Sequence, residues 1–244
     1  MNAVVIIQAR MGSTRLPGKV LKKVKDKVVL DYVIERLKCC KEVDNIVLAT
    51  TTSEKDNILR DYAVNKRINL FRGDEEDVLS RYYNAAEKYN ADLVIRITSD
   101  CPLIDPKIVD EVIRKHIESD ADYTANTIKR TYPRGLDVEV FNFDVLAEAY
   151  KNASENYQRE HVTLYIKEHA EKFKLQNIEA KGKLDRPDIR ITLDTEKDFE
   201  LIKKIILHFD DMEFTAEDIV DFLNRNPKLL EMNRNIKQKE VKMN

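Results

Sequence analysis

Cysteine is scarce in this chain. Cys39, Cys40 and Cys101 are the three cysteines among 244 residues, and the first two are adjacent. The odd number and the lack of a metal-ligand spacing argue against a disulfide framework and a zinc site. We therefore expect a protein of a reducing compartment, the cytoplasm.

Long apolar runs are also missing. No segment reaches the roughly 20 apolar residues of a membrane span. The apolar run at residues 3–7 is short and follows no basic region. We therefore expect neither a signal peptide nor contact with a membrane.

Neither sign of charge is in excess. Lys and Arg number 42 against 44 Asp and Glu, which gives a net charge of −2. Nucleic-acid-binding domains are usually basic overall, so we expect no nucleic-acid partner. Charged residues make up 35% and hydrophobic residues 43% of the chain, as in a soluble globular protein large enough for a substantial core.

Short apolar runs alternate with helical spacing in the first half. Helices are predicted at residues 28–38 and 75–89, and Asp105 followed by Pro106 is a typical helix start. Buried strands are predicted at residues 3–7, 45–49, 68–71 and 92–98. This alternation favours an α/β fold with a doubly wound, mostly parallel, Rossmann-like sheet.

The second half is less regular. Short strands are predicted at 123–126 and 138–141, one helix at 156–172, then a strand at 189–193 and a helix at 195–208.

These patterns predict a single domain over residues 1–225 that carries an insertion at about 123–185. From Arg225 onward the sequence holds six basic and two acidic residues. We therefore expect residues 226–244 to form a solvated, fraying basic tail.

Three cations, Arg10, Arg15 and Lys19, follow the first predicted strand within ten residues. Glycine in such a loop lets backbone amides approach an anion. Arginine offers phosphate a planar fork and lysine offers a compact charge. Ligands of such sheets bind beyond the carboxyl ends of strands. The loop therefore favours a triphosphate site over its alternative, a solvated surface loop.

Two common phosphate loops are excluded. A P-loop has four residues between its glycines and Ser or Thr after its lysine. Here five residues separate Gly12 from Gly18, and Val20 follows Lys19. The glycine spacing also differs from the dinucleotide fingerprint.

Residues 9–19, Ala-Arg-Met-Gly-Ser-Thr-Arg-Leu-Pro-Gly-Lys, resemble the nucleotide-binding signature of the cytidylyltransferases that make CMP-KDO and CMP-sialic acid. Over about residues 3–225 the chain more closely resembles the SpsF-type branch, named for a spore-coat polysaccharide biosynthesis protein. The resemblance implies that CTP and a small sugar acceptor yield a CMP-sugar and pyrophosphate. It also implies a homodimer formed through the insertion.

The resemblance assigns roles by position. It implies catalytic roles for Arg10, Arg15, Lys19 and Asp100. The nucleotide-binding residues it implies are Gln8, Ala9, Arg10, Gly12, Ser13, Thr14, Arg15, Lys19, Asp77, Arg81 and Ser99.

Triphosphate chemistry usually needs a divalent cation, here Mg²⁺, held by one or two carboxylates. Asp100 follows the fourth predicted strand, and Asp194 ends the predicted strand at 189–193. Both resemble metal ligands of the family. The alternatives are turn chemistry for Asp100 and a helix-start carboxylate for Asp194. We expect Asp198 to stabilise the helix start instead of binding metal.

Asp77 and Arg81 lie four residues apart in a motif similar to one of the SpsF-type branch. The structural alternative to contact with the nucleotide is a salt bridge between them on one helix face.

Two segments of the insertion resemble SpsF-type motifs, 132–141 and 159–163. The acceptor-binding candidates are Arg134, Asp137, Glu139 and His161, and Arg134 would suit the carboxylate of an acidic keto-sugar. The alternative for His161 is a packed or exposed structural histidine.

Three other functions are open. A glycosyltransferase of similar fold would use a ready-made nucleotide-sugar, and a related enzyme would transfer CMP to a non-sugar alcohol. A nucleic-acid- or protein-binding module would use the basic tail.

Overall fold

The computed structural model describes residues 1–209 and 211–238, and β-strands form its centre. The strands are β1 (Ala3–Gln8), β2 (Lys23–Val24), β3 (Lys27–Val28), β4 (Asn45–Thr51), β5 (Asn69–Gly73), β6 (Leu93–Thr98), β7 (Tyr123–Ala125), β8 (Glu139–Asn142) and β9 (Leu175–Asn177). Seven of them form one sheet in the order β5-β4-β1-β6-β8-β7-β9, and β2 and β3 form a separate hairpin.

Most neighbours in the sheet are parallel. β1 pairs in parallel with β4 and β6, β4 with β5, and β7 with β9. β8 runs antiparallel to both of its neighbours, β6 and β7. The prediction of a mostly parallel sheet is confirmed. Strands β1, β4, β5 and β6 start and end within two residues of their predicted bounds.

Helices lie along the chain between and after the strands. Their bounds are α1 (Val29–Leu37), α2 (Asn57–Lys66), α3 (Val78–Lys88), α4 (Pro106–Ile117), α5 (Phe143–Asn152), α6 (Asn156–Glu160), α7 (Leu164–Glu168), α8 (Glu196–His208), α9 (Ala216–Arg225) and α10 (Pro227–Leu230). No helix in the described ranges is both long and apolar enough to cross a membrane.

Apolar side chains cover both faces of the sheet. Along β1, Ala3, Val5 and Ile7 pack in one core with residues of α1, α4 and α8. Val4 and Ile6 point the other way and pack with residues of α3, α5 and α7. This alternation follows from the two-residue period of a strand, and helices on both faces confirm the doubly wound fold.

The helix predicted over residues 156–172 is broken. α6 and α7 are separated by residues 161–163, where Val162 has a φ of 22° and is fully buried. Thr163 donates a buried hydrogen bond to Glu139 at 2.6 Å. Tertiary contacts of these two residues outweigh the helical spacing of the sequence.

The strand predicted at residues 189–193 is wrong. Within this segment Arg190 forms an isolated bridge with Arg134. The Arg134 amide donates to the carbonyl of Ile189 at 2.9 Å, and the Ile191 amide donates to the carbonyl of Arg134 at 2.8 Å. These hydrogen bonds join the segment to the loop that contains Arg134. The segment therefore adds no strand to the sheet.

Residues 226–238 differ from the predicted solvated tail. α10 packs against the domain, and Asn233 is 4% exposed. Its amide donates to the carbonyl of Arg190 at 3.0 Å and to the carboxylate of Asp198 at 2.8 Å. The prediction from composition was wrong here because the uncharged side chains between the charged ones pack against the rest of the chain. The rest of the predicted tail, residues 239–244, lies outside the described residues.

Candidate active site

A cavity of about 850 Å³ opens at the carboxyl ends of β1 and β6. Ligands bind at this edge of a doubly wound sheet. Its walls come from the first loop, the start of α3, the end of β6, α6 and Asp194, which lies two residues before α8. The lining residues are Gln8, Ala9, Arg10, Gly12, Ser13, Thr14, Arg15, Lys19, Asp74, Glu75, Glu76, Asp77, Val78, Arg81, Arg96, Thr98, Ser99, Asp100, Asn156, Arg159, Glu160, His161 and Asp194. Every predicted nucleotide-binding residue is among them.

Hydrogen bonds hold the loop after β1 in shape. Asp56, 2% exposed, accepts a hydrogen bond from the backbone amide of Met11 at 2.7 Å. Gly18 has a φ of 65°, in the left-handed region that glycine adopts without strain. Its amide donates to the carbonyl of Met11 at 3.3 Å, which closes the turn before Lys19.

Lys19 lies between the two predicted metal ligands. Its Nζ is 3.2 Å from Asp100, 2.9 Å from Asp194 and 2.7 Å from the carbonyl of Leu193. Burial alone would lower the pKa of Lys19, but the two carboxylates outweigh burial and raise it. The lysine is therefore a fixed positive charge.

Asp194 is buried and surrounded by cations. It lies 3.0 Å from Arg15 and 2.9 Å from Arg190, besides its contact with Lys19. Burial would raise the pKa of Asp194, but these cations, Lys19 first, lower it. Asp198 takes the helix-start role expected of it, since it completes the capping box of α8 with Thr195.

Asp100 and Asp194 fit a divalent metal by their chemistry. Their carboxylate oxygens converge on one cationic nitrogen, and Mg²⁺ prefers such oxygens, usually with only one or two protein carboxylates. Across residues 1–209 and 211–238, no group of three or more His, Cys, Asp or Glu side chains is arranged to hold a metal ion. The donor set suits an ion that is shared with a nucleotide.

The third cation of the loop is more exposed. Arg10 lies 3.5 Å from Glu75, and both side chains are nearly half exposed. Ion pairs of this kind contribute about 0–1 kcal/mol. Arg10 is therefore free to exchange Glu75 for another anion.

Asp77 and Arg81 do not form the salt bridge considered as the structural alternative. Asp77 caps α3 by accepting the Ser80 amide at 2.8 Å, and it also pairs with Arg159. Arg81 is 2% exposed and donates to the carbonyl of Asp74 at 2.6 Å, and burial lowers its pKa. Because Asp77 precedes the first helical turn, the four-residue spacing does not bring the two side chains together.

The four predicted acceptor residues are not together. His161 lines the cavity, whereas Arg134 borders a separate cavity of about 220 Å³. Asp137 accepts two hydrogen bonds from Arg130, each 2.7 Å long, away from the cavity lining. The structure therefore gives no support to acceptor contacts by Arg134 or Asp137.

Glu139 is a buried structural carboxylate behind the cavity wall, not the acceptor contact that was expected. It accepts hydrogen bonds from Arg96 at 2.5 Å, Tyr123 at 2.8 Å and Thr163 at 2.6 Å. Burial would raise the pKa of Glu139, but Lys167 and Arg96 hold it well below its usual range. Both carboxylate oxygens are therefore used within the fold.

Arg96 is a cavity residue that the sequence reasoning missed. It lies within β6 between Ile95 and Ile97, which are fully buried. Its side chain lines the cavity, and its Nη2 donates to Gln8 Oε1 at 3.3 Å. A single charged residue inside an apolar strand was the available signal, since unpaired charges are rarely buried.

Comparisons with known proteins show the family of the chain. The cytidylyltransferase family matches residues 4–236. An uncharacterized protein of Methanocaldococcus jannaschii is 42% identical over 242 residues, 99% of this chain and 98% of its own. The spore coat polysaccharide biosynthesis protein SpsF of Bacillus subtilis is 37% identical over 234 residues, 93% of this chain and 96% of its own.

A solved structure extends the likeness to three dimensions. A cytidylyltransferase from Leptospira borgpetersenii serovar Hardjo-bovis superposes with a TM-score of 0.90 and 35% identity, covering 98% of this chain and 100% of that one. The chain therefore belongs to the cytidylyltransferase family, and it is a nucleotidyltransferase.

Proposed function

We propose that the enzyme transfers CMP from CTP to a sugar hydroxyl and releases pyrophosphate. The observation that carries this proposal is the meeting of three loop cations, Arg10, Arg15 and Lys19, with Asp100 and Asp194 in one cavity. A triphosphate and a divalent cation bring charges of both signs. This cavity offers a partner to each.

The acceptor hydroxyl oxygen attacks the α-phosphorus of CTP. The bond from that phosphorus to the oxygen that bridges to the β-phosphate breaks, pyrophosphate leaves with the electron pair, and the hydroxyl proton passes to solvent. Arg10, Arg15 and Lys19 stabilise the charge that develops on the phosphate oxygens. Asp100 and Asp194 would hold Mg²⁺, which neutralises and orients phosphate oxygens when bound.

Lys19 exchanges partners in this proposal. Its Nζ lies between Asp100 and Asp194, and its side chain is 14% exposed. A phosphate oxygen replaces the two carboxylates as its partner, which leaves both carboxylates for the metal. The total charge around Lys19 stays balanced, so no buried charge is left without a partner.

The inserted segment supplies the acceptor side. Asn156, Arg159 and His161 line the cavity from α6 and the residue after it. The proposed acceptor is an acidic keto-sugar for a surface polysaccharide, because arginine and histidine suit a carboxylate. The name of the Bacillus subtilis relative supports polysaccharide synthesis.

The test is pyrophosphate release with Mg²⁺, for CTP, ATP, GTP and UTP each paired with a panel of sugars and alcohols. We expect release from CTP with an acidic sugar, and none without an acceptor. A preference for a neutral sugar or a non-sugar alcohol would show that the acceptor is not an acidic sugar. Silence with every pair, together with turnover of a ready-made nucleotide-sugar, would overturn the reaction in favour of glycosyl transfer.

The insertion also carries the proposal of a homodimer. The support for this proposal is the resemblance to cytidylyltransferases, which implies a dimer contact through residues 123–185. Light scattering should give twice the chain mass of 28.5 kDa. A mass of one chain at micromolar concentration would contradict the dimer.

A further inference from the structure

The second cavity, of about 220 Å³, is rich in arginine: Arg134, Arg190 and Arg234 are among the residues that line it. In the described part of the chain, the acidic residue of this lining is Asp188. Its carboxylate accepts two hydrogen bonds from Arg186, each 2.7 Å long. The lining therefore carries an excess of positive charge, and the acid that it contains is already paired.

Arg134 is the cation of this cavity that no anionic group in the described part of the chain contacts directly. It is partly buried, and across residues 1–209 and 211–238 its guanidinium makes neither a hydrogen bond nor an ion pair. Burial lowers the pKa of Arg134, and the neighbouring Arg130 and Arg190 lower it further, while Asp137 and Asp194 oppose this shift without outweighing it. A cation removed from water beside like charges costs free energy unless an anion compensates it.

Arg190 lies beside Arg134 and is held in a fixed position. The two residues form a backbone bridge, and the Arg190 guanidinium contacts Asp194 at 2.9 Å and Asp198 at 3.0 Å. Its remaining nitrogen, Nη1, donates to the amide oxygen of the exposed Gln238 at 2.7 Å. Because a neutral amide is a weaker partner than an anion, this nitrogen can donate to an anion in the cavity instead.

The size and the donors of the second cavity favour a small anion. Its volume of about 220 Å³ is about seven times that of a water molecule in the liquid, and it is below the roughly 300–1,000 Å³ of pockets for drug-sized ligands. Arg234 adds a third guanidinium, since its exposed ion pair with Glu231 exchanges readily. Guanidinium groups match the oxygens of phosphate, and several of them together favour a multivalent ion over a single carboxylate.

We propose that the second cavity is a binding site for a small phosphate-type anion, which Arg134 holds together with Arg190 and Arg234. The site is separate from the main cavity, since among the described residues none of the three loop cations lines it. Arg190 lies between the two sites, because its other nitrogens contact the carboxylates of Asp194 and Asp198. The anion site does not depend on which nucleotide or acceptor the enzyme uses.

The test is a calorimetric titration with orthophosphate, without nucleotide, at an ionic strength held constant with chloride. We expect wild-type protein to bind phosphate with a Kd of about 1 mM or tighter. Arg134→Gln removes the charge, so this affinity should fall at least about tenfold through the loss of charge-assisted hydrogen bonds. Because Arg134 makes no hydrogen bond in the described part of the chain, the variant should melt at or above the wild-type Tm without phosphate. Glycerol phosphate in a second arm shows whether free phosphate or a phosphate ester is the better ligand, and binding of either upholds the inference.

Arg60→Gln is the matched control, because Arg60 is an exposed arginine of α2 that lines neither cavity, and it should bind phosphate as wild type does. Lys19→Met separates the two cavities: phosphate binding should persist in it. Binding that is lost in Lys19→Met and kept in Arg134→Gln would place the ion in the main cavity and overturn the inference, while the proposed function would stand.

A thermal melt identifies any variant that fails to fold. If Arg134→Gln does not fold, Arg234→Gln, at an exposed position of the same lining, decides the result by weaker phosphate binding. Phosphate binding by folded Arg134→Gln or Arg234→Gln that equals wild type in both variants would overturn the inference. Absence of saturable phosphate binding by wild-type protein, or equal affinity for acetate, would also overturn it.

Discussion

Charged side chains in the cavity form ion pairs with side chains of opposite charge. Arg15 and Lys19 meet Asp194, and Arg10 meets Glu75. The carboxylates make it possible to bury the ammonium group of Lys19, since a buried charge without a partner is strongly unfavourable. The pairs also place the donors before a nucleotide arrives, which is how preorganised groups stabilise a transition state.

Lys19→Met should lower kcat/KM for CTP by about 10²–10³, because it removes one charge from the developing phosphate anion. Pyrophosphate release measures the effect, and a thermal melt shows that the variant folds. Lys23→Met is the control, since Lys23 is an exposed lysine of β2 and lines neither cavity. Activity of Lys19→Met within tenfold of wild type would contradict the assigned role.

Two elements cross closely beside the site. Gly135 has a φ of 109°, and a Cβ there would lie 2.7 Å from the backbone carbon of Ile191 and the backbone nitrogen of Thr192. Only glycine allows this approach. At this crossing the loop around Gly135 packs against the segment that leads to Asp194.

Gly135→Ala should lower the free energy of unfolding by about 3 kcal/mol, because it adds a backbone clash to an unfavourable φ. It should also reduce pyrophosphate release by displacing Asp194. Gly182→Ala is the control: its φ is 59°, but no atom lies within 4 Å of an added Cβ. That variant should lose about 1 kcal/mol in urea denaturation. Equal losses of unfolding free energy in the two variants would show that the backbone at Gly135 is not tightly packed.

Glu139 joins β8 to β6 and α7, and its pKa is lowered in the fold. The unfolded chain therefore binds this proton more readily. The stabilisation is fully present above the ordinary glutamate pKa of about 4.3, and it is lost as pH falls through the folded-state value.

Glu139→Gln should reduce the free energy of unfolding by about 3 kcal/mol at neutral pH, because Arg96 and Lys167 lose their partner. The difference in the free energy of unfolding between this variant and wild type should become smaller as the pH falls below about 4.3. Urea denaturation at a series of pH values measures it. A difference that stays constant with pH would contradict the ionised, paired state of Glu139.

At the scale of the whole molecule, residues 226–238 pack behind the site. Asn233 bonds to the backbone of Arg190 and to Asp198, and the guanidinium of Arg190 contacts both Asp194 and Asp198. Residues far apart in sequence thus support one metal-ligand candidate from behind. Residues 226–238 thus pack against the rest of the described chain, although the sequence from Arg225 onward has the composition of a solvated tail.

Asn233→Ala should destabilise the protein by about 2 kcal/mol, since it removes the hydrogen bond to the buried carbonyl of Arg190 and one of the hydrogen bonds to Asp198. Asn235→Ala, at an exposed position two residues further on, should change stability by less than about 0.5 kcal/mol. Thermal or urea denaturation of the two variants measures the difference. Similar stability of both would mean that the segment does not contribute to the fold.

Local patterns were enough to predict much of this molecule. The buried strands at β1, β4, β5 and β6 follow from short apolar runs, and the start of α4 follows from Asp105 and Pro106, where Asp105 accepts the Lys107 amide at 2.8 Å. The cavity position followed from the rule for strand ends. The strands and the helix start depend on patterns within a few residues, so the sequence by itself determined them.

Partner choice was decided by the tertiary structure. Asp77 pairs with Arg159 instead of Arg81, because α6 packs against α3. Glu139 pairs with Arg96 instead of an acceptor, because β8 lies beside β6 in the sheet. The break at Val162 likewise depends on contacts distant in sequence. The sequence determined which charged side chains the enzyme has and that they follow the ends of particular strands. The tertiary structure decided which of them face the cavity, because charges separated by tens of residues compete for partners only after the chain has packed.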